Sequence, residues 1–449
     1  MCAAHCRCQA ADARRCLWAR PSVAAPIGRS ERVDVKRILM IAYHFPPLAG
    51  SSGIQRTLRF ARHLPQFGWE PVILGAHPRA FERVSKDQMA DIPAGFVVER
   101  AFALDSARHL SLAGSYPGFL ARPDRWVSWC VGAVPKGVAL IRKYQPKVIW
   151  STYPIATAHK IGGLLHRLSG LPWVADFRDP MAQEGYPADP KTWDSFKAIE
   201  EQAVHRAAAS VFVTPGAKRY YIDRYPDVPS ERFAVIENGY DEESFAQLDE
   251  AARHQGPLMP GAFTLLHSGI VYPSERDPTQ FFKALRALIP EVEAGDCRLR
   301  VRLRASAHEG VLRKMIGEHG VGQIVELAPP IAYKQALEEM MRADGLLILQ
   351  AANCNEQIPA KLYEYLRCRR PILALTDPIG DTAGLLRRAG IDNIARLDSA
   401  EDITRALKRF VDGARRGAAA LPDEAFMAGA SRLSRTRELA QLLDNLQGG

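Results

Sequence analysis

Lys36-Arg-Ile-Leu-Met-Ile-Ala-Tyr43 is a nearly continuous apolar run, and the loop His44-Phe-Pro-Pro-Leu-Ala-Gly50-Ser51-Ser52-Gly53 follows it. A run without alternation predicts a strand buried on both faces, as in a parallel sheet. The loop leads into a helical pattern over 54–67, with Leu58, Ala61 and Leu64 on one face and Gly68 at its end. Pro71-Val-Ile-Leu74 reads as the next strand. Strand, tight loop, helix, strand is the βαβ grammar of a parallel sheet.

The grammar repeats outward from there. Strands are expected at 147–150, 173–175, 210–213 and 233–236, with helices at 156–168 and 193–208. Residues 238–261 then turn acidic and Gly/Pro-rich, which predicts an inter-domain linker. A second series starts over, with strands at 263–267, 299–303, 324–327, 345–348 and 371–374. Its helices are expected at 278–288, 311–319, 334–342 and 360–367, and a last one at 424–446. The fold expected is α/β: two doubly wound Rossmann-like domains, residues 36–255 and 256–420, facing a central cleft. Residues 421–449 are expected to cross back to the first domain. Residues 1–35 read as a disordered extension, or as a start codon placed too far upstream.

Composition agrees with a globular protein. The 449 residues are 47% hydrophobic and 24% charged, which argues against disorder. This length exceeds what one core supports. The best apolar run, 126–135, is too short to span a bilayer and ends at Lys136. Fifty-nine Lys and Arg against 50 Asp and Glu give a net charge of +9. The excess is not gathered in one run and no nucleic-acid module is present, so it fits a solvated surface or, equally, an anionic membrane surface or substrate, and not nucleic acid. Cys2, Cys6, Cys8 and Cys16 resemble a metal knuckle only loosely and lack a completing cluster. Cys130, Cys297, Cys354 and Cys368 are scattered, as reduced thiols of a cytoplasmic protein would be.

Four constellations carry candidate chemistry. Gly50, Ser51, Ser52 and Gly53 would let backbone N–H groups approach an anion at a helix N-terminus, and Arg56 stands one turn further on, within reach of a phosphate. The loop matches neither a Walker loop nor the GxGxxG fingerprint. Asp176-Phe-Arg178-Asp179-Pro180 sits at the carboxyl end of an expected strand, where open α/β sheets keep their ligands. Those carboxylates fit either acceptor orientation or a structural ion pair. Glu356-Gln-Ile-Pro-Ala-Lys361-Leu-Tyr-Glu364 puts one carboxylate before a helix and one inside it, suited to sugar and ribose hydroxyls. Ser268-Gly269 and Arg276-Asp277-Pro278 flank the second series' first loop, where Arg276 could neutralise a departing diphosphate. Arg302 and Arg304 alternate along a strand and fit either the cleft or structural pairing.

Together these residues resemble family 4 glycosyltransferases of the GT-B type, and in particular a bacterial branch linked to surface polysaccharide assembly. The resemblance rests on Ile41 to Arg56, on Val235-Ile-Glu-Asn238-Gly239-Tyr-Asp241-Glu-Glu-Ser-Phe245, on the E-x7-E spacing of Glu356 and Glu364, and on the motifs ending at Pro180 and Tyr365. It implies a retaining, hexosyltransferase-like enzyme. A nucleotide-diphosphate sugar would be bound mainly by the C-terminal domain, through Gly269, Arg276, Lys361 and Glu364 with the Gly50–Gly53 loop opposite. Asp176, Arg178, Asp179 and Glu356 would lie at the catalytic centre. No cofactor and no metal are implied, in keeping with the lack of an Asp-x-Asp motif. Two departures stand out: Ile270 occupies a position where the family often has Arg, and Arg276 is the nearest cation where it often has Lys.

The implied acceptor is a glycan or a lipid-linked sugar. Tyr116, Phe119, Trp126 and Trp129 interleave with Arg108, Arg122, Arg125 and Lys136. That mixture suits peripheral contact with the inner face of the plasma membrane, and equally a helical hairpin packed on the first domain. The rival readings are a nucleotide-sugar epimerase on the same fold and a binding subunit without turnover. A dehydrogenase is disfavoured by the missing GxGxxG.

Overall fold

In the computed structural model, residues 35–50, 53–86, 88–112, 114–253, 256–294 and 298–447 are described. The expectations for residues 1–34, Ser51, Ser52 and Cys297 therefore lie outside the described residues. The first sheet contains β1 (Lys36–Ile41), β2 (Trp69–Ala76), β3 (Val97–Ala101), β4 (Val148–Thr152), β5 (Trp173–Arg178), β6 (Ala209–Phe212) and β7 (Phe233–Val235). Its spatial order is β3-β2-β1-β4-β5-β6-β7, with every pairing parallel. The second contains β8 (Ala262–Ser268), β9 (Arg298–Arg304), β10 (Val325–Ala328), β11 (Gly345–Leu349), β12 (Ile372–Leu375) and β13 (Ile394–Ala395), ordered β10-β9-β8-β11-β12-β13 and again parallel. In each sheet the strand order reverses beside the first strand. This switch point is where a doubly wound sheet opens a ligand crevice.

The strands are apolar throughout because alternate residues feed cores on opposite faces. Leu39 and Ile41 enter one cluster, while Ile38 and Met40 enter another. In the second sheet Leu347 and Leu349 point one way, Leu346 and Ile348 the other. Helices cover both faces.

Residues 238–261 are not a plain linker. The helix Glu242–Arg253 forms there because Phe245 and Leu248 bury against the second sheet's core and acidic Glu242 and Glu243 occupy its first turn. Its approach is clamped to the end of the chain. Tyr240 and Ser431 form a parallel bridge, with the Tyr240 N–H donating to the Ala430 carbonyl at 3.3 Å and the Arg432 N–H to the Tyr240 carbonyl at 2.8 Å. A Cβ on Gly239 would lie 2.7 Å from the Ala430 carbonyl oxygen, so a side chain there would force the two segments apart.

The tail is two helices, Glu424–Gly429 and Arg432–Asn445, separated by Ala430 and by Ser431, which caps the second. Met427 and Ala430 belong to the second sheet's core. Leu439, Ala440 and Leu443 join the first sheet's core beside Ile38 and Leu58. The chain thus crosses between the halves twice.

Arg56 is not a free phosphate ligand. It is 3% exposed, and its Nε and Nη2 donate to Asp176 at 3.0 and 2.8 Å. Asp176 is fully buried and also accepts from the Thr152 hydroxyl at 2.8 Å. Arg56 Nη1 reaches the Glu237 carbonyl at 3.3 Å. One guanidinium thereby joins the helix Gly53–His63, the ends of β4 and β5, and the junction. Replacing one partner strands the other charge without compensation, so Arg56→Met should destabilise the protein by about 3–5 kcal/mol. Arg56→Met/Asp176→Leu should recover most of that loss, read as urea-unfolding midpoints. Leu443→Ala should cost about 2–5 kcal/mol by opening a cavity under the first sheet, and an unchanged midpoint would place the last helix outside that core.

Candidate functional site

Two cavities lie on the seam between the sheets. The smaller, about 150 Å³, is lined by Arg178, Asp179 and Asn238 from the first half and junction, and by Glu275, Arg276, Gln350, Cys354 and 357–360 from the second. The larger, about 580 Å³, takes in Gly50, Gln55, Arg59, Arg62, Asp241, Tyr333 and Lys334. Both sit where loops leave the carboxyl ends of the strands.

Arg178 is aimed into the small cavity by its backbone. The β5–β6 pairing shifts register between Asp176 and Arg178, and Arg178 adopts φ 64°, a left-handed conformation uncommon outside glycine. Its Nη1 donates to the Tyr153 carbonyl at 3.3 Å, while its buried Nε has no protein partner. Burial pushes its pKa down. Asp179 lies beside it, its carboxyl raised by burial against the opposing pull of Arg178 and Arg56. His44, in the loop after β1, is driven down to about 3 by burial and by Arg178, so it is neutral at any physiological pH. Asp176 is not available to a substrate, because Arg56 and Thr152 occupy its oxygens. It acts in holding the loop and not in touching a reacting atom.

The second half contributes a cationic corner. Gly269 follows β8 at φ 116°. A Cβ there would stand 2.9 Å from Lys361 Nζ, so only glycine lets the lysine come this close. Lys361 opens the helix Lys361–Arg367, and its Nζ donates to His267 Nε2 at 3.0 Å. Burial and the neighbouring Arg276 push the Lys361 pKa well down, with Glu364 opposing. Arg276 is anchored by its Nη1 to the Ile270 carbonyl at 2.5 Å. Ile270, the residue that replaces a frequent arginine, is 37% exposed and supplies only its carbonyl here.

The two glutamates of the E-x7-E spacing face different neighbours. Glu364 Oε1 accepts from the Tyr333 hydroxyl at 2.8 Å, and Tyr333 lines the larger cavity. Burial raises its pKa, and Tyr333, Arg432 and Lys361 oppose this. Glu356 lies instead at the contact with the helix Pro215–Arg224. Its carbonyl accepts from Thr214 Oγ1 at 2.6 Å, and its carboxyl is raised by partial burial and by Asp381. Asp381 in turn accepts from the Gly216 N–H at 2.6 Å and pairs with Arg219.

The structure thus brings Arg178, Asp179 and Arg276 to one cavity, with Gly269, Lys361 and Glu364 next to it. Gly50 lines the larger cavity, Gly53 is buried at the helix start, and Glu356 stands apart. Arg302 and Arg304 pair with Glu326 and Glu339 within the second half and do not serve the cleft. Sequence reasoning missed Glu275 and Gln350, and picked out Asn238 only as part of the junction signature and not as a cavity residue. Position after a buried strand was the one signal available for Gln350, whose amide donates to the carbonyls of Cys354 and Gln357.

Two of the four interleaved aromatics are structural. Trp129 is fully buried, and Trp126 packs on Tyr43 with its indole N–H donating to the Ala80 carbonyl. Arg108, Arg125 and Lys136 are also engaged, with the Phe81 carbonyl, with Glu82 and with Glu99. Phe119, at 70% exposed, remains at the surface, as do Leu112 and Val131. Among the described residues, no helix is long and apolar enough to cross a membrane. Cys130 and Cys354 are free thiols.

Comparison with known proteins places this geometry. Residues 52–239 match the model of the glycosyl transferase 4-like domain. Anabaena HepE, solved with UDP and glucose, aligns at a TM-score of 0.61 with 14% identity, covering 91% of this chain and 99% of HepE. Sucrose-phosphate synthase from Thermosynechococcus elongatus gives 0.60 and 14%, covering 92% and 99%. A putative UDP-N-acetylglucosamine 2-epimerase from Listeria monocytogenes gives 0.54 and 12%, covering 92% and 97%. Identities this low establish a common fold. No curated protein matches the sequence significantly. Residues 52–239 match the glycosyl transferase 4-like domain, and the chain as a whole shares the two-domain GT-B fold of these solved structures.

Proposed function

We propose that the protein moves a hexose-like sugar from a nucleotide-diphosphate donor to a glycan or lipid-linked acceptor, with retention of configuration, in cell-surface polysaccharide assembly. The observation that carries this reading is the facing pair Arg178 and Arg276 across the small cavity, with Lys361 beside it. Two guanidiniums from opposite halves, with a lysine beside them whose charged form a bound anion favours, suit a diphosphate, and groups held in place towards a leaving group need little reorganisation during reaction. They supply the charge that a metal would otherwise bring, so the proposed reaction is metal-independent. HepE, of the same fold, was solved with UDP and glucose, which supports a nucleotide sugar as donor. Glu364, beside Tyr333 and Lys361, is assigned to the ribose hydroxyls, and Asp179 and Arg178 to the reacting sugar. Asp176 acts through Arg56 and Thr152, not on the substrate. Retention and the polysaccharide role rest on the resemblance of the junction and E-x7-E motifs to family 4 enzymes.

The lipid-linked acceptor implies work at a membrane, placed by this reading at the cytoplasmic face. Leu112, Phe119 and Val131 are the exposed apolar side chains that support it. Vesicles containing anionic phosphatidylglycerol should co-sediment the protein, and Phe119→Ser with Leu112→Ser should weaken this. Binding at background on such vesicles removes the membrane contact from the reading.

The donor assignment has its own test. Glu364→Ala should weaken nucleotide-sugar binding about tenfold or more, the worth of a charged hydrogen-bond acceptor. A thermal-shift screen across UDP-, GDP-, ADP- and dTDP-sugars identifies the donor, since a ligand of the folded state raises the midpoint. Product analysis with and without acceptor then separates transfer from epimerisation, because an epimerase alters the sugar with no acceptor present.

A further inference from the structure

The β8–β11 ladder is short. Only Gly345 with Leu265 and Leu346 with Leu266 are in register before the strands part at the switch point. The next carbonyl of β11, Leu347, is taken by a side chain: His267 Nδ1 lies 2.9 Å from it. A carbonyl only accepts, so Nδ1 carries the proton. The ring also faces the Ile270 carbonyl, and the Lys361 donor beside Nε2 makes that nitrogen the acceptor of the neutral ring. Lys361 Nζ stands 3.0 Å from that Nε2 and donates to it. His267 is 1% exposed, so the ring is held by its surroundings and does not follow solvent. A charged ring would set an N–H against an ammonium, and burial together with Lys361 keeps His267 neutral.

The direction of this chain of contacts is informative. It runs from the backbone of β11 through the imidazole to Nζ, and sets the ammonium over Gly269, where a Cβ would come within 2.9 Å of it. That is the position next to Ile270, which offers no charge. We infer that His267 is a positioning residue: it orients Lys361 so that the lysine supplies, over Gly269, the phosphate-binding cation that residue 270 lacks. This rests on the donor reading above and assigns a further residue to it.

Two amide substitutions separate the two ends of the imidazole. His267→Asn keeps a donor near Nδ1 for the Leu347 carbonyl but offers Lys361 nothing. His267→Gln can reach Lys361 with its amide oxygen. Binding is measured by calorimetry with UDP, GDP, ADP and dTDP and, as phosphate-free controls, their nucleosides. For the nucleoside diphosphate that the wild type binds best, His267→Asn should weaken affinity about tenfold or more, by misplacing a charged contact. The thermal midpoint without ligand should stay near wild type, and His267→Gln should retain most of the affinity. In a Lys361→Met background His267→Asn should cause no further loss, as coupled residues require.

Wild-type affinity in His267→Asn, His267→Gln no better than His267→Asn, or additive losses in the double variant would each overturn the inference and leave the donor reading intact. A wild-type protein that binds none of the four diphosphates would overturn both.

Discussion

The buried pair between Arg56 and Asp176 is the constraint on which the first half's loops depend. Both groups are removed from water, so their mutual attraction must offset a desolvation cost of several kcal/mol for each ion. It does so with two direct hydrogen bonds, a hydroxyl from Thr152 and a contact to the Glu237 carbonyl. These partners come from four separate parts of the chain. The end of β5, with its left-handed Arg178, lies on the same strand as this carboxylate, two residues on. A pair of this kind adds little net stability relative to a well-packed apolar pair. It does set one arrangement of strand ends, helix and junction and disfavours the others.

The junction extends the same logic to both halves. Glu237 pairs with Arg388 and Arg435, Asp241 with Arg59, Glu242 with Arg367 and Glu243 with Arg62. Each carboxylate of that short acidic stretch meets at least one arginine from a helix elsewhere in the chain, Asp241 and Glu243 both pairing with the helix Gly53–His63. Charge is therefore balanced where the halves join, and less so in the cavity nearby, where Arg178 has a buried Nε with no protein partner. Proteins rarely leave a buried donor unmade, and such groups mark places where something outside the chain completes the bonding. The proposed diphosphate is an anion of the right kind for it.

Much of the fold was legible because parallel strands must be apolar on both faces. Lys36 to Tyr43 and Gly345 to Ile348 declare themselves by that rule alone. The elements that escaped are those the rule does not reach. β3 is an edge strand whose Glu99 and Arg100 interrupt the apolar run, and the helix Glu242–Arg253 hides in acidic residues that look like a linker. Site residues were harder still. Spacing brought out Lys361 and Glu364, but could not tell that Asp176 would be consumed by Arg56, or that Glu356 would turn towards Asp381. Trp126 and Trp129 look interfacial in one dimension because nothing local records that Tyr43 will meet them. Those outcomes are pairings between distant segments, and a pairing is not written into either member.

The bridge between Tyr240 and Ser431 has a mechanical consequence. The only two covalent connections from the described first half to the second run side by side there, stitched by backbone hydrogen bonds. Two parallel legs act as a hinge pin: they permit rotation about the line perpendicular to them and resist shear and twist. Were the seam to open, that rotation would be its easiest path, and closing it would return Arg178 and Arg276 to the facing positions they hold here.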